Sequence, residues 1–575
     1  MSIFLGATVI ASEKPNFLFI AIDDLVPRLG CYGDPVALSP EIDSLADQGF
    51  VFLNHHVQWA VCGPSRASMT TSLMPEETGV IGFQPIRVIL PDVVTLPQHF
   101  KNNGYTTACA GKFHDYRTVG TYDSGGNLNN DGRTVDDPLS WSIPYNSGGG
   151  SGFSPSGKPA VDYTDQTDSA YVDHDILTKG IALIDAIAAG EQPFFLAVGF
   201  KKPHLGFIAP KRFWDLYDTN ADGDYSNDMV LPAFTGDPLG ASANVVAMLD
   251  NNSELLGYEP FESTGVPSAA EGRELMHGYY ACISMVDTFL GQLIDKLEVT
   301  PDPVQTDKMM SETTIVIIWG DHGFYLGEHN RWGKHSNLEH ATHAPLIIFD
   351  PSNPSGGALV ESPVNSLDIY PTLCELAGLP IPEQPTSETE LTGRSLRGRS
   401  LVPIFQNPQA SVNYGALSVF RKNGFGYAYR TQRFRYIEWI YGANRVATDL
   451  YDYVNDPQET VNLSEKPEYA SIVYQLSQAI RAEPAADGMT VLGNTSAITA
   501  PEDLKLPFLK IDRFDAERFN LEWPGAYGVT YRLMATEDLL QPFTVHTSSL
   551  VGHSVQVDSE DYTTRFFSVE IEVDP

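Results

Sequence analysis

Cys62 and Arg66 stand one helical turn apart in AVCGPSRASM (60–69), separated by Gly63, Pro64 and Ser65. Proline is favoured in the first turn of a helix, where its missing N–H costs nothing. Residues 64–74 therefore read as a helix with Cys62 at or just before its N-terminus, a place that favours negative charge. The position suits either a reactive thiolate or a group made from the thiol. Asp23 and Asp24 close the apolar run PNFLFIAIDDL (15–25), and Asp321, followed by His322, closes TTIVIIWGDHG (313–323). Brought together unpaired, these carboxylates would repel. A hard divalent cation with oxygen ligands removes the conflict, and calcium tolerates irregular geometry better than magnesium. Arg66, Lys112, His114, His204 and Lys334 form a set of cations able to clamp a tetrahedral oxyanion.

The elements needed to position these residues are legible. PNFLFIAIDDL, YTTACAGK (105–112), PFFLAVGFKKPH (193–204) and TTIVIIWGDHG are apolar runs ending in polar residues, the pattern of strands buried on both faces. Helical patterns such as SPEIDSLADQG (39–49) and HGYYACISMVDTFLGQLIDKLE (277–298) lie between them. Alternating strands and helices make an α/β sheet whose ligands bind beyond the carboxyl ends of the strands, so four distant polar clusters converge on one edge. Residues 115–170 interrupt the pattern with Gly, Asn, Asp and Ser runs and read as an insertion over that edge that shapes the substrate mouth. FGYAYRTQRFRYIEWI (425–440) suggests a smaller antiparallel unit. After the linker AEPAADGMTVLGNTSA (482–497), short alternating runs such as FNLEWPGAYGVTYRLMAT (519–536) and RFFSVEIEV (565–573) read as a small β-sandwich.

Composition sets outer bounds. A chain of 575 residues is too long for one core. A formal charge of −37 argues against nucleic acid and makes an anionic substrate dependent on a local basic pocket. Five cysteines (31, 62, 109, 282, 374) are too few and scattered for a disulfide scaffold or zinc ribbon, and Cys109 and Cys282 read as buried free thiols. No run approaches the roughly 20 apolar residues of a membrane helix. Residues 1–13 read as a signal-peptide remnant or plain tail, which implies a periplasmic or secreted protein.

The C-x-P-S-R pattern at Cys62–Arg66 resembles that of type I sulfatases, in which the cysteine is oxidised to formylglycine. DDLVPRLGCYGD, LPQHFKNNGY, KPHLGF and GDHGFYLGEHNRWGKHSN extend the resemblance to the iduronate 2-sulfatase branch, across roughly residues 15–465. His322 after Asp321, where most sulfatases carry Asn, is a branch-level likeness. His114 follows Lys112 by two residues, the general sulfatase spacing, whereas the iduronate branch has one more residue between them.

The resemblance implies an alkaline-phosphatase-like α/β fold with a large mixed, mainly parallel sheet between helices. It also implies one calcium held by Asp23, Asp24, Asp321, His322 and the modified residue 62. It places Arg66 and Lys112 on the aldehyde hydrate and His114 as the base that breaks the hemiacetal. His204 and Lys334 would contact sulfate, either of them protonating the departing alcohol. Since calcium prefers oxygen, His322 could instead hydrogen-bond the hydrate. The implied partners are a formylglycine-generating enzyme and a sulfated carbohydrate, such as a uronate-containing polysaccharide. The alternatives are a phosphate or phosphonate monoester hydrolase of the same fold, or a non-catalytic sugar-binding protein.

The expected organisation is a catalytic domain at 14–405, its C-terminal subdomain at 406–490, and an accessory β-sandwich at 500–575 with a core of Phe519, Leu521, Trp523, Tyr531, Leu533, Phe566, Phe567 and Val569. DTNADGDYSNDM (218–229) resembles a calcium loop, but Met229 stands where a bidentate Glu belongs. Asn462 and Asn494 begin glycosylation sequons.

Overall fold

In the strand Asn16–Ile22, Leu18, Ile20 and Ile22 join one apolar cluster, while Phe17, Phe19 and Ala21 join another on the opposite face. A run apolar at every position suits a strand with both faces covered. The structure is a computed structural model. It describes residues 14–483 apart from 123–127, 131–135, 146, 148–154, 156, 251, 386–393 and 443, and beyond residue 483 the backbone of six strands. The signal-peptide reading, the Asn494 sequon and the packing of the tail core fall outside the described residues.

The central sheet comprises β1 (Asn16–Ile22), β2 (Phe50–Phe52), β3 (Thr106–Gly111), β4 (Phe194–Phe200), β5 (Thr314–Gly320), β6 (Leu346–Phe349) and β7 (Ala358–Val360). Their order is β7-β2-β6-β5-β1-β4-β3. All are mutually parallel except β6, which pairs antiparallel with both β5 and β2. One face is covered by α1 (Pro40–Ala46) and the long helices Val172–Ala188 and Ala269–Glu298. The other is covered by the helices Cys62–Thr71, Leu96–Asn102 and Ile369–Leu376. The carboxyl ends of β1, β3, β4 and β5 share one edge, as the strand pattern predicts.

Gly111 ends β3 with φ 76°, a left-handed turn that sends Lys112 toward the site. A Cβ there would stand 2.3 Å from the Gly199 carbonyl oxygen, so close pairing with β4 also requires glycine.

A second, antiparallel sheet is built from β8 (Gly415–Arg421), β9 (Phe425–Thr431), β10 (Phe434–Tyr441) and β11 (Asn444–Asp452), in sequence order. The first turn carries Asn423 and Gly424 at positive φ, as tight hairpins favour. Its apolar face packs against the helix Ala470–Ala482 and, across the chain, against Trp59, Val61 and Met74, which flank the Cys62 helix. The final six strands form two three-stranded antiparallel sheets.

The loop at 218–229 is largely exposed and turns its carboxylates on its own backbone: Asp218 accepts from the amides of Asp222 and Gly223, and Asp224 from Ser226. Asn462 donates its side-chain amide to Gly240 O, Thr448 O and Asp449 at 3.0–3.3 Å. The nitrogen that would carry a glycan is thus committed to the fold.

Candidate active site

The helix begins at Cys62, two residues earlier than expected, and stops at Thr71, where Ser72 turns left-handed at φ 52°. Pro64 stays within the first turn. Every residue of this helix is buried, and Ser65 donates its hydroxyl to the Asp321 carbonyl, tying the helix to the end of β5.

All ten residues singled out from the sequence meet at this edge. Asp24 adopts φ 63°, an uncommon conformation for a non-glycine residue, and its amide donates to Asp321 Oδ1 at 3.0 Å. Arg66 is fully buried. Its Nε donates to Asp321 Oδ2 at 2.8 Å, Nη1 to the carbonyls of Lys112 and Phe113, and Nη2 lies 3.5 Å from Asp23. It therefore ties together the ends of β1, β3 and β5. Lys112 Nζ donates to Asp23 Oδ2 at 2.6 Å, and Lys334 Nζ to Asp24 Oδ1 at 2.7 Å while lying 3.8 Å from Cys62 Sγ.

The charges bias one another. Burial works to raise the pKa of Asp23, yet Lys112, with His204, Arg66 and Lys334, holds it well below the usual carboxylate range. Burial favours the neutral amine at Lys334, but Asp24, Cys62 and Glu254 keep its ammonium strongly protonated. For Cys62, burial first and Asp23 second push the thiol well above its ordinary value. Unmodified, this sulfur is a neutral thiol rather than an activated thiolate.

The Nδ1 of His322 donates to Gly323 O at 3.0 Å, which leaves the Nε2 lone pair 3.3 Å from Cys62 Sγ and 3.4 Å from Asp24 Oδ1. His114 shows the same logic. Its Nδ1 donates to Asp136 Oδ1 at 2.6 Å, while its buried Nε2 has no hydrogen-bond partner among the described residues. His204 uses Nδ1 on Leu205 O at 2.6 Å, and its Nε2 lies 3.6 Å from Glu254.

Donor atoms of Asp23, Cys62, Asp321 and His322 all lie within 4.8 Å of one another, and those of Asp24, Cys62 and His204 form an overlapping group. Carboxylate oxygens gathered this closely fit a hard divalent cation, so the residues match the calcium that the family implies. The edge opens into a cleft of about 460 Å³, lined by Asp23, Lys112, His114 and His204 and by residues of the insertion that include Tyr116 and Tyr145.

Two residues escaped the sequence reading. Asp136, which orients His114 and also accepts from Trp141 Nε1 at 2.8 Å, lies in the polar insertion and looks there like one turn residue among many. Glu254 bridges Lys334 Nζ at 3.0 Å and His204 from the position just before the short 3₁₀ segment Leu255–Gly257, with no motif around it. Burial opposes its charge, but Lys334 and His204 draw its pKa down to about 2.

Comparison with known proteins agrees with this geometry. Residues 15–379 match the sulfatase family, and residues 327–485 match the C-terminal region of N-sulphoglucosamine sulphohydrolase. A sulfatase of Formosa agariphila is 30% identical over 475 residues, covering 78% of this chain and 83% of its own. Iduronate 2-sulfatase of Homo sapiens is 31% identical over 498 residues, covering 75% and 86%. A solved structure in complex with its substrate D-glucosamine-2-N,6-O-disulfate superposes with a TM-score of 0.62 at 20% identity, covering 83% of this chain and 99% of that one; at such identity the likeness speaks for the fold.

Proposed function

The chain belongs to the sulfatase family, in its iduronate 2-sulfatase-like branch, and is a sulfuric ester hydrolase; on that premise we propose that it removes sulfate from a sulfated carbohydrate, such as a uronate-containing polysaccharide or its oligosaccharides, using formylglycine made from Cys62. The observation that carries this reading is the convergence of residue 62, three carboxylates and the cationic set on one cleft edge.

Formylglycine at position 62 supplies geminal hydroxyls, one to attack sulfur and one whose deprotonation expels sulfate. Asp23, Asp24 and Asp321, with His322 and residue 62, would hold a calcium ion, whose positive charge would favour ionisation of a hydroxyl at residue 62 and attract the sulfate ester. Lys112 and Lys334 flank residue 62 as fixed cations, preorganised by Asp23 and Asp24 to meet the sulfate's negative oxygens. His114, oriented by Asp136, presents a free lone pair to accept a proton. His204 lines the open side of the cleft and, together with Lys334, is placed to protonate the leaving sugar oxygen, a poor leaving group that needs an acid.

Maturation would require a formylglycine-generating enzyme, and the working compartment would be periplasmic or extracellular; among the described residues no helix is long and apolar enough to cross a membrane. Residues 14–405 would form the catalytic domain, with 406–490 as its subdomain and 500–575 as an accessory module that does no chemistry.

The test is to produce the protein with a formylglycine-generating enzyme and measure sulfate and phosphate released from sulfated oligosaccharides, aryl sulfates and aryl phosphates. Peptide mass at residue 62 is read in parallel. Sulfate release from a saccharide that tracks the aldehyde fraction is expected. Preferred phosphate release, or full activity of thiol-bearing protein, would overturn the reading.

A further inference from the structure

The cleft has basic residues beyond those assigned to the reaction, and most of them are committed. Arg117 pairs with Asp115 at 2.7 Å and stacks on the Phe83 ring. Lys202 donates to the carbonyls of His204 and Gly206. Lys201 differs. It follows directly on β4 and lines the cleft, and its ammonium has no hydrogen-bond or ion-pair partner among the described residues.

The nearest obvious acid does not claim it. Asp173 spends Oδ1 on the backbone amide of Lys201 at 2.5 Å, and its buried Oδ2 is left without a hydrogen bond. Burial draws the pKa of Lys201 down, aided by Lys112, and the fields of Asp173 and Asp23 offset this only in part. In a chain of net charge −37, a half-buried lysine with no direct ion pair among the described residues is better satisfied when an anion arrives beside it.

We propose that Lys201 receives a second anionic group of the substrate, a carboxylate or a further sulfate ester carried by the saccharide whose sulfate is cleaved. The proposal rests on the carbohydrate sulfatase reading and deepens it. Lys201 makes the enzyme selective for sugars bearing at least one negative charge beyond the scissile ester. The volume of the cleft, about 460 Å³, lies within the range of small-ligand sites and leaves room for such a group beside Lys112.

The experiment compares kcat/KM of the formylglycine-bearing wild type with Lys201→Gln and Lys201→Arg. The substrates are a 2-O-sulfated hexuronate disaccharide, the same disaccharide with its carboxylate reduced to the alcohol, a disulfated glucosamine and 4-nitrophenyl sulfate. Lys201→Gln is expected to lower kcat/KM about 10- to 100-fold on whichever multiply charged saccharide is turned over, mainly through KM, the loss typical of a removed charge-assisted hydrogen bond. Its loss on the reduced disaccharide and the aryl sulfate should be at least about fivefold smaller, and Lys201→Arg should restore most of the selectivity. The two multiply charged substrates distinguish a carboxylate from a second sulfate. Equal losses on all substrates, or none on any, would overturn the proposal while leaving the sulfatase reading in place. A wild type that cleaves the aryl sulfate but no saccharide would overturn the carbohydrate reading and this proposal with it.

Discussion

Arg435 and Arg66 are both fully buried arginines beside two carboxylates, yet their surroundings serve different ends. Arg435 bridges the antiparallel sheet to the catalytic body. Its Nε lies 2.9 Å from Glu459, Nη1 donates to Asn337 O at 2.8 Å, and Nη2 lies 2.5 Å from Glu339, which Arg430 also reaches at 3.1 Å. Glu459 completes the ring by accepting from the Glu339 amide at 3.0 Å and the Tyr453 hydroxyl at 2.5 Å. Among the described residues both clusters leave buried atoms without hydrogen bonds, Asn337 Oδ1 and His343 Nε2 near Arg435 and His114 Nε2 and Glu254 Oε2 near Arg66, but the Arg66 cluster opens on a cleft. Buried charge by itself does not mark a site. What separates the two clusters is uncommitted atoms next to space a ligand can enter.

Five substitutions would break or sharpen this contrast. Cys62→Ala should reduce sulfate release by about 10⁴-fold or more, because the nucleophile is gone, while the melting temperature changes little. Substantial turnover by the alanine variant would remove residue 62 from the chemistry.

Arg435→Met should do the reverse. It strands Glu339 and Glu459 and should cost about 3–5 kcal/mol in urea unfolding, with kcat of the folded fraction near that of the wild type. A large kcat defect in fully folded protein would mean that the two clusters are coupled.

Asp136→Asn tests whether an uncommitted atom matters only when oriented. With His114 no longer held by a carboxylate, kcat should fall about 100-fold, and His114→Ala should fall further, within the 10²–10⁴-fold range of lost acid–base catalysis. Unchanged kcat in both variants would show that His114 carries no proton in the reaction.

The smallest effect is expected at Asp287, a buried carboxylate with no cation partner among the described residues, which accepts from the amides of Glu41 and Ile42 at the start of α1. Burial raises its pKa from 3.8 to about 7. The folded state then binds more protons than the unfolded state across that interval, so this residue's contribution falls as pH rises from about 4 to 7. Asp287→Asn should lose less stability than the wild type between pH 5 and 8, measured by urea titration at both values. Parallel slopes for the two proteins would contradict the assignment.

Much of this protein was determined by the sequence alone. Apolar runs ending in Asp23–Asp24, Lys112, His204 and Asp321–His322 specify buried parallel strands with polar carboxyl ends, because strand burial and strand termination are local consequences of residue type. The C-x-P-S-R pattern likewise placed Cys62 at a helix start to within two residues. The tertiary structure decided which charges remain available. That β6 runs antiparallel, that Asp136 comes 22 residues along a polar insertion to grip His114, and that Glu254 reaches Lys334 across a separation of 80 residues all depend on through-space pairing that no local pattern records. The same holds for Lys201 and Lys202. They are neighbours of one residue type in the chain, yet one is tied to carbonyls and the other faces the cleft with no hydrogen-bond partner for its ammonium among the described residues, since hydrogen-bond satisfaction is a property of the folded surroundings and not of the residue.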